Sequence, residues 1–137
     1  MFRHLIKLPF WKALIMKNSD VAKVVPGASK ILSKWNCTDK DKSILLGYGS
    51  EEEFLVMLSN PEAHTFSQEQ ILRMSYIFNI YRSLNTLFNL PESSDNWVNK
   101  PNKAPIFKGQ SALDTMKKGE LKDLASVSNY LHYFLYI

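Results

Sequence analysis

Apolar residues recur along this chain at steps of three and four. From Ile71 a stripe runs through Met74, Phe78, Tyr81, Leu84 and Phe88. Leu72, Ile77, Ile80 and Leu87 widen it well beyond one face, which predicts a helix central in the core or covered by a partner. Near the end, Leu121, Leu124, Val127, Leu131 and Phe134 repeat the helical period. Polar signals punctuate these runs. Thr38-Asp41, Ser50-Glu53, Ser67-Gln70 and Ser111-Asp114 each set a hydroxyl three residues before a carboxylate or amide. The hydroxyl accepts the amide proton three residues on, and the fourth side chain reaches back. Four such starts predict an all-α fold. The β-prone residues sit inside helical periods, so no sheet is expected.

Two stretches depart from plain helix. LPESSDNWVNKPNKAPIFKGQ, residues 90–110, gathers three prolines, a glycine and several Asn and Ser. It reads as a connector, long by ordinary loop standards. Trp97, Ile106 and Phe107 predict that it is pinned to the body. Trp97 and Phe107 either fill the core or serve as anchors of a binding platform. The second stretch, ILSKWNCTDKDKSILLGYGSEEEFLVML, parses as helix, capped helix, turn, capped helix. Gly47-Tyr48-Gly49 gives the corner its backbone freedom. That is the layout of a helix-turn-helix.

The charge pattern argues against DNA reading by the second helix of that unit. It opens with Glu51, Glu52 and Glu53. Each suits the helix dipole by roughly 0.3–1 kcal/mol. Together they repel the phosphates that dominate DNA affinity. FLVML then offers no base-edge donors of the Arg, Asn or Gln kind. Residues 1–42 carry nine Lys/Arg against three Asp, residues 43–95 two Arg against seven acids, and residues 96–137 six Lys against three acids. The acidic section thus contains the would-be reading helix. If DNA binds, Lys30, Lys34, Lys40 and Lys42 are the candidates, as phosphate contacts only.

At 137 residues the chain is one domain's worth or two very small helical units. A 45% hydrophobic content can bury a real core. The single cysteine, Cys37, excludes an intrachain disulfide and fits a reducing cytoplasm. No nucleophile motif surrounds it, so it reads as a small core or helix-end residue. His4, His64 and His132 show no metal-ligand spacing, and there is no Gly-rich phosphate loop or nucleophile elbow. No catalytic residue, metal or cofactor is therefore expected, and the chain is read as a non-enzyme. No segment approaches the length of a membrane span. The basic start, MFRHLIKLPFWKALIM, is interrupted by Lys7, Pro9 and Lys12. It reads as an amphipathic arm that packs on the body or on a second subunit. A membrane-surface role is the runner-up for that arm.

WVNKPNKAPIFKGQSALDTMKKGELKDLASVSNYL resembles the C-terminal toxin-binding domain of Xre/MbcA/ParS-type antitoxins. The matching features are Trp97, Pro101-Asn102, Pro105, Phe107, Gly109, Ser111-Ala112-Leu113-Asp114 and Gly119. Leu124, Val127, Tyr130 and Leu131 follow in a closing helix. Upstream, ILSKW, ILLG and ILRMSYIFNIYRSLNTLF resemble the helical N-terminal half of the same family. The likeness covers roughly residues 28–132. It implies an antitoxin that pairs with a RES-domain toxin, a toxin that degrades NAD. In that family the C-terminal domain covers the toxin's cleft. The helix-turn-helix half dimerises and can repress the operon's own promoter.

The chain departs from that pattern at the three glutamates and at its end. It closes on NYLHYFLYI, too apolar for a solvated tail. This segment either folds back on the core or enters a partner's pocket, a role that suits tyrosine. The expected layout is a basic arm over residues 1–27, a helix-turn-helix-like domain over 28–90 and a toxin-binding domain over 91–137. Asn102, Phe107, Tyr130, Tyr133, Tyr136 and Ile137 are the candidate toxin contacts. A homodimer is expected, in the cytoplasm and off the membrane. The alternative is a dimeric helix-turn-helix transcriptional regulator without a toxin partner.

Overall fold

The computed structural model describes residues 16–135. Most of the basic arm, with His4, Lys7, Pro9 and Lys12, lies outside the described residues, as do Tyr136 and Ile137. Among the described residues the fold is all-helical. Its elements are α1 (Asn18–Lys34), α2 (Asp39–Leu46), α3 (Glu51–Ser59), a 3-10 turn (Pro61–Ala63), α4 (Gln68–Leu87), α5 (Pro91–Trp97), α6 (Ala112–Met116) and α7 (Leu121–Leu135).

The four hydroxyl caps form. At α2 and α4 the boxes close in both directions, Thr38 with Asp41 and Ser67 with Gln70. Ser50 and Ser111 accept the amides of Glu53 and Asp114, at 3.1 and 3.0 Å. The Glu53 carboxylate goes instead to the amide of Gly49, at 3.1 Å, and so stiffens the turn before α3.

The helix ends are closed as firmly as the starts. After α1, Asn36 takes a left-handed conformation. The Cys37 amide then donates to Leu32 and the Asn36 amide to Ser33, each at 3.0 Å. After α2, left-handed Gly47 lets the Tyr48 amide reach the Ser43 carbonyl at 2.8 Å. Both are Schellman closures, which satisfy carbonyls that a helix end leaves free.

α4 is the central helix. It buries Ile71, Met74, Ile77, Phe78, Ile80 and Leu84, as its wide apolar pattern predicts. It packs on α1, α2, α5 and α7, and its interface with α7 is the most extensive. Arg73 is buried in α4. Its guanidinium donates to the carbonyls of Ile44, Leu45 and Gly119, at 3.1, 3.3 and 2.6 Å. It thereby ties the end of α2 to the start of α7. Since α7 begins beside Arg73 and then packs along α4, the two helices run toward the same end of the body.

One apolar cluster extends from Val21 of α1 to Leu131 of α7, through Trp35, Phe54, Phe78 and Phe107. α1 runs unbroken across residues 27 and 28, with Pro26 on its exposed side. A division at that point would fall inside a helix. The stretch read as a connector over residues 90–110 holds α5, with Pro91 at its first turn.

Candidate functional site

The loop between α5 and α6 is built around Asn102. Its Oδ1 accepts the Ala104 amide at 2.9 Å. Its own amide donates to Gln110 at 3.0 Å, and its carbonyl accepts from Gly109 at 3.1 Å. Lys108 and Gly109 both take positive φ, 51° and 83°, to close the turn. An isolated bridge pairs Pro101 with Ser111, and the Leu113 amide reaches the Val98 carbonyl at 2.8 Å. Asn102 thus holds the loop in shape, and its carboxamide oxygen is already engaged.

From this loop a row of aromatic rings leads outward along α7. Phe107 meets Tyr130 edge-on at 5.0 Å and Trp97 at 5.9 Å. Trp97 stacks on Tyr130 at 6.3 Å. Tyr130 meets Phe134 at 5.0 Å, and Phe134 meets Tyr133 at 5.5 Å. Edge-on and offset pairs of this kind contribute about 0.5–1.5 kcal/mol each beyond the area they bury. The row is graded in exposure. Phe107 is 1% exposed, Trp97 and Tyr130 are half-buried, Phe134 is 42% exposed and Tyr133 is 63% exposed. Ile106 is exposed on the loop, and Leu87 and Leu90 are exposed where α4 ends. The helix keeps the tail in register as far as Leu135, so the aromatic face is presented by a rigid element.

This geometry revises the expected contact set. Phe107 is too buried to touch a partner; it supports the row from beneath. Phe134 and Ile106, not among the expected contacts, stand at the surface. The helical period that puts Phe134 one turn beyond Tyr130 was the available signal for it. Tyr136 and Ile137 lie outside the described residues.

The four lysines expected to meet phosphates do not form one surface group. Lys42 is only 7% exposed, and its ammonium donates to Ser29 Oγ at 3.0 Å and Ser33 Oγ at 2.6 Å. It joins α2 to α1 and is closed to a phosphate. Lys34 donates to the Tyr81 hydroxyl at 3.0 Å and lies 5.2 Å from that ring's centre. The hydrogen bond to Tyr81 raises its pKa above the ordinary lysine value. Lys30 and Lys40 remain exposed.

The uncharacterized protein y4oB of Sinorhizobium fredii (strain NBRC 101917 / NGR234) is 32% identical over 102 residues, covering 74% of this chain and 76% of that protein. The chain belongs to the y4oB family. No family model matches it. No solved structure matches it either.

A second concave feature of this y4oB relative lies at the turn between α2 and α3. A cleft of about 740 Å³ is lined by Tyr48, Glu52, Glu53, Val56, Asn60 and His64, among others. Beneath it Phe54, Tyr48, His64 and Phe66 form a chain of ring contacts at 5.8, 5.5 and 4.7 Å. His64 Nε2 lies 3.3 Å from Gln70 Oε1. No group of three or more His, Cys, Asp or Glu able to hold a metal occurs among the described residues. No helix among them is long and apolar enough to cross a membrane.

Cys37 is half-buried at the end of α1, and burial pushes its thiol up to about 12 from an ordinary value of 9.0. The thiolate is the reactive form, so the folded chain holds this sulfur inert near neutral pH. Alkylation by iodoacetamide at pH 8 is expected to run about a hundredfold or more slower in the folded chain than in urea. Mass spectrometry of quenched samples reads this directly, and equal rates would refute it. Burial also raises the Tyr48 hydroxyl, from 10.0 to about 12. The folded chain keeps both protons where the unfolded chain has released them. Stability therefore falls as pH rises from about 9 toward 12.

Proposed function

We propose that this protein is the antitoxin of a type II toxin–antitoxin pair, acting by binding and occluding a RES-type toxin. The observation that carries the reading is the graded aromatic row, which ends in exposed Phe134 and Tyr133 on a rigid helix. Aromatic side chains backed by a packed core are the usual anchors of a protein interface. The Asn102 loop beside them belongs to the segment that resembles the toxin-binding domain of Xre/MbcA/ParS-type antitoxins. No catalytic or cofactor role is assigned to any residue in this reading.

In this reading α2, the Gly47 turn and α3 are a helix-turn-helix that keeps the arrangement without major-groove reading. Glu51, Glu52 and Glu53 are all exposed at the start of α3, and Lys42 is committed to α1. Promoter binding by a homodimer, and the alternative of a regulator without a toxin, would have to use other cations, with Lys30 and Lys40 the exposed pair.

The test is co-expression with the product of the neighbouring reading frame, followed by size-exclusion chromatography. Co-elution, with loss of that neighbour's toxicity, is expected. Deleting residues 133–137 should weaken the complex and leave the melting of the body nearly unchanged. Unchanged affinity in that truncation would refute the surface assignment. Separate elution with a harmless neighbour would refute the antitoxin reading.

A further inference from the structure

The outer face of α3 is apolar where a free helix would be polar. Val56 is 67% exposed, and Leu55 is exposed beside it. Val56 also lines the cleft at the α2–α3 turn, whose rim carries Glu52 and Glu53. Glu51 and Glu62 are exposed on the flanking helix start and 3-10 turn. The face therefore asks for an occupant that is both apolar and basic.

The chain supplies one. Residues 2–12, FRHLIKLPFWK, carry Arg3, Lys7 and Lys12 and no acid, with Leu5, Ile6, Leu8, Phe10 and Trp11 between them. This segment enters the described body at the cleft. The Asn18 side chain donates to the His64 carbonyl at 2.8 Å and accepts the Phe66 amide at 2.9 Å. His64 is itself a wall of the cleft. An extended chain spans about 3.3–3.6 Å per residue, so the four residues between Trp11 and Met16 suffice to bring Trp11 to the cleft mouth. At about 740 Å³ the space falls within the range of ligand pockets.

We propose that residues 2–12 of the same chain dock in the cleft between the α2–α3 turn and the 3-10 turn, with their cations on Glu52 and Glu53 and an aromatic side chain against Val56. Docked there, the segment closes the outer face of α3 to any other partner. The surface is separate from the aromatic row on α7 and does not depend on the toxin-binding reading.

The test is limited chymotrypsin cleavage of the full chain, scored at Phe10 and Trp11 by mass spectrometry. Glu52→Lys with Val56→Lys replaces two exposed side chains, so the body should fold as before. Cleavage at Phe10 and Trp11 is expected to accelerate about tenfold or more in this variant, since proteolysis follows the open population. Cleavage within the body should stay the same. Adding Lys7→Glu and Lys12→Glu to the variant should restore protection at least in part. Equal cleavage in wild type and variant would overturn the proposal. Protection that grows with protein concentration would also overturn it, because the occupant would then be a second copy.

Discussion

Arg73→Ala lowers the unfolding free energy by about 3–4 kcal/mol, the largest loss expected from one polar side chain in this protein. The guanidinium is buried and serves three carbonyls, those of Ile44, Leu45 and Gly119. Removing it leaves these acceptors without their donor in a dry site. Lysine does not rescue the position, because one ammonium cannot reproduce the planar fork that spans α2 and Gly119. The ion pair to Glu69, at 3.1 Å, is a minor part of the effect. The Glu69 side chain is 58% exposed, so Glu69→Gln should cost well under about 1 kcal/mol. Thermal melts should show a fall of about 10–15 °C for Arg73→Ala and little change for Glu69→Gln. Equal, small shifts would mean that the carbonyls find other donors. Gly47 is tied to the same residue. A Cβ there would sit 2.9 Å from Arg73 Cδ, so the left-handed turn and the buried arginine constrain each other.

Phe107→Ala costs about 3–5 kcal/mol, as for other fully buried aromatic side chains. The ring fills the space between Trp97 and Tyr130 and holds the Asn102 loop on α7. Its loss should weaken partner binding only by loosening the platform. Tyr133→Ala and Phe134→Ala should do the reverse, lowering affinity with small changes in stability. Denaturant unfolding and binding measured on the same three variants separate the two roles. A stable Phe107→Ala variant that fails to bind would make Phe107 a direct contact after all.

Much of the fold can be read from the residues because its helices announce both ends and faces. The hydroxyls of Thr38, Ser50, Ser67 and Ser111 mark four starts, and the apolar period of α4 marks the core helix. α5 was hidden by its setting. Its Pro91 and Glu92 are ordinary first-turn residues, but the Pro, Asn and Ser around them read as connector. The helix crossing residues 27 and 28 was obscured by Pro26 and Gly27, which look like a break in sequence. Pro26 is tolerated because it faces solvent.

The candidate site was legible in kind but not in detail. A sequence shows that Phe107 and Lys42 are aromatic and basic; it does not show that both are buried. Phe107 is drawn inward by the rings of Trp97 and Tyr130. Lys42 is drawn inward by Ser29 and Ser33, thirteen and nine residues earlier. Arg73 gave no signal at all, since the carbonyls that it serves come from α2 and from Gly119. Contacts that join distant segments through backbone groups leave no pattern in side-chain type.

The most direct measurement is NAD consumption by the purified RES-domain product of the neighbouring reading frame, titrated with this protein. Turnover should stop once the two chains reach a fixed stoichiometry. The Tyr133→Ala, Phe134→Ala double variant should then require at least about tenfold more protein for the same inhibition. Turnover that persists at saturating wild-type protein would contradict the antitoxin reading. Full inhibition by the double variant at wild-type concentration would contradict the place assigned to it on α7.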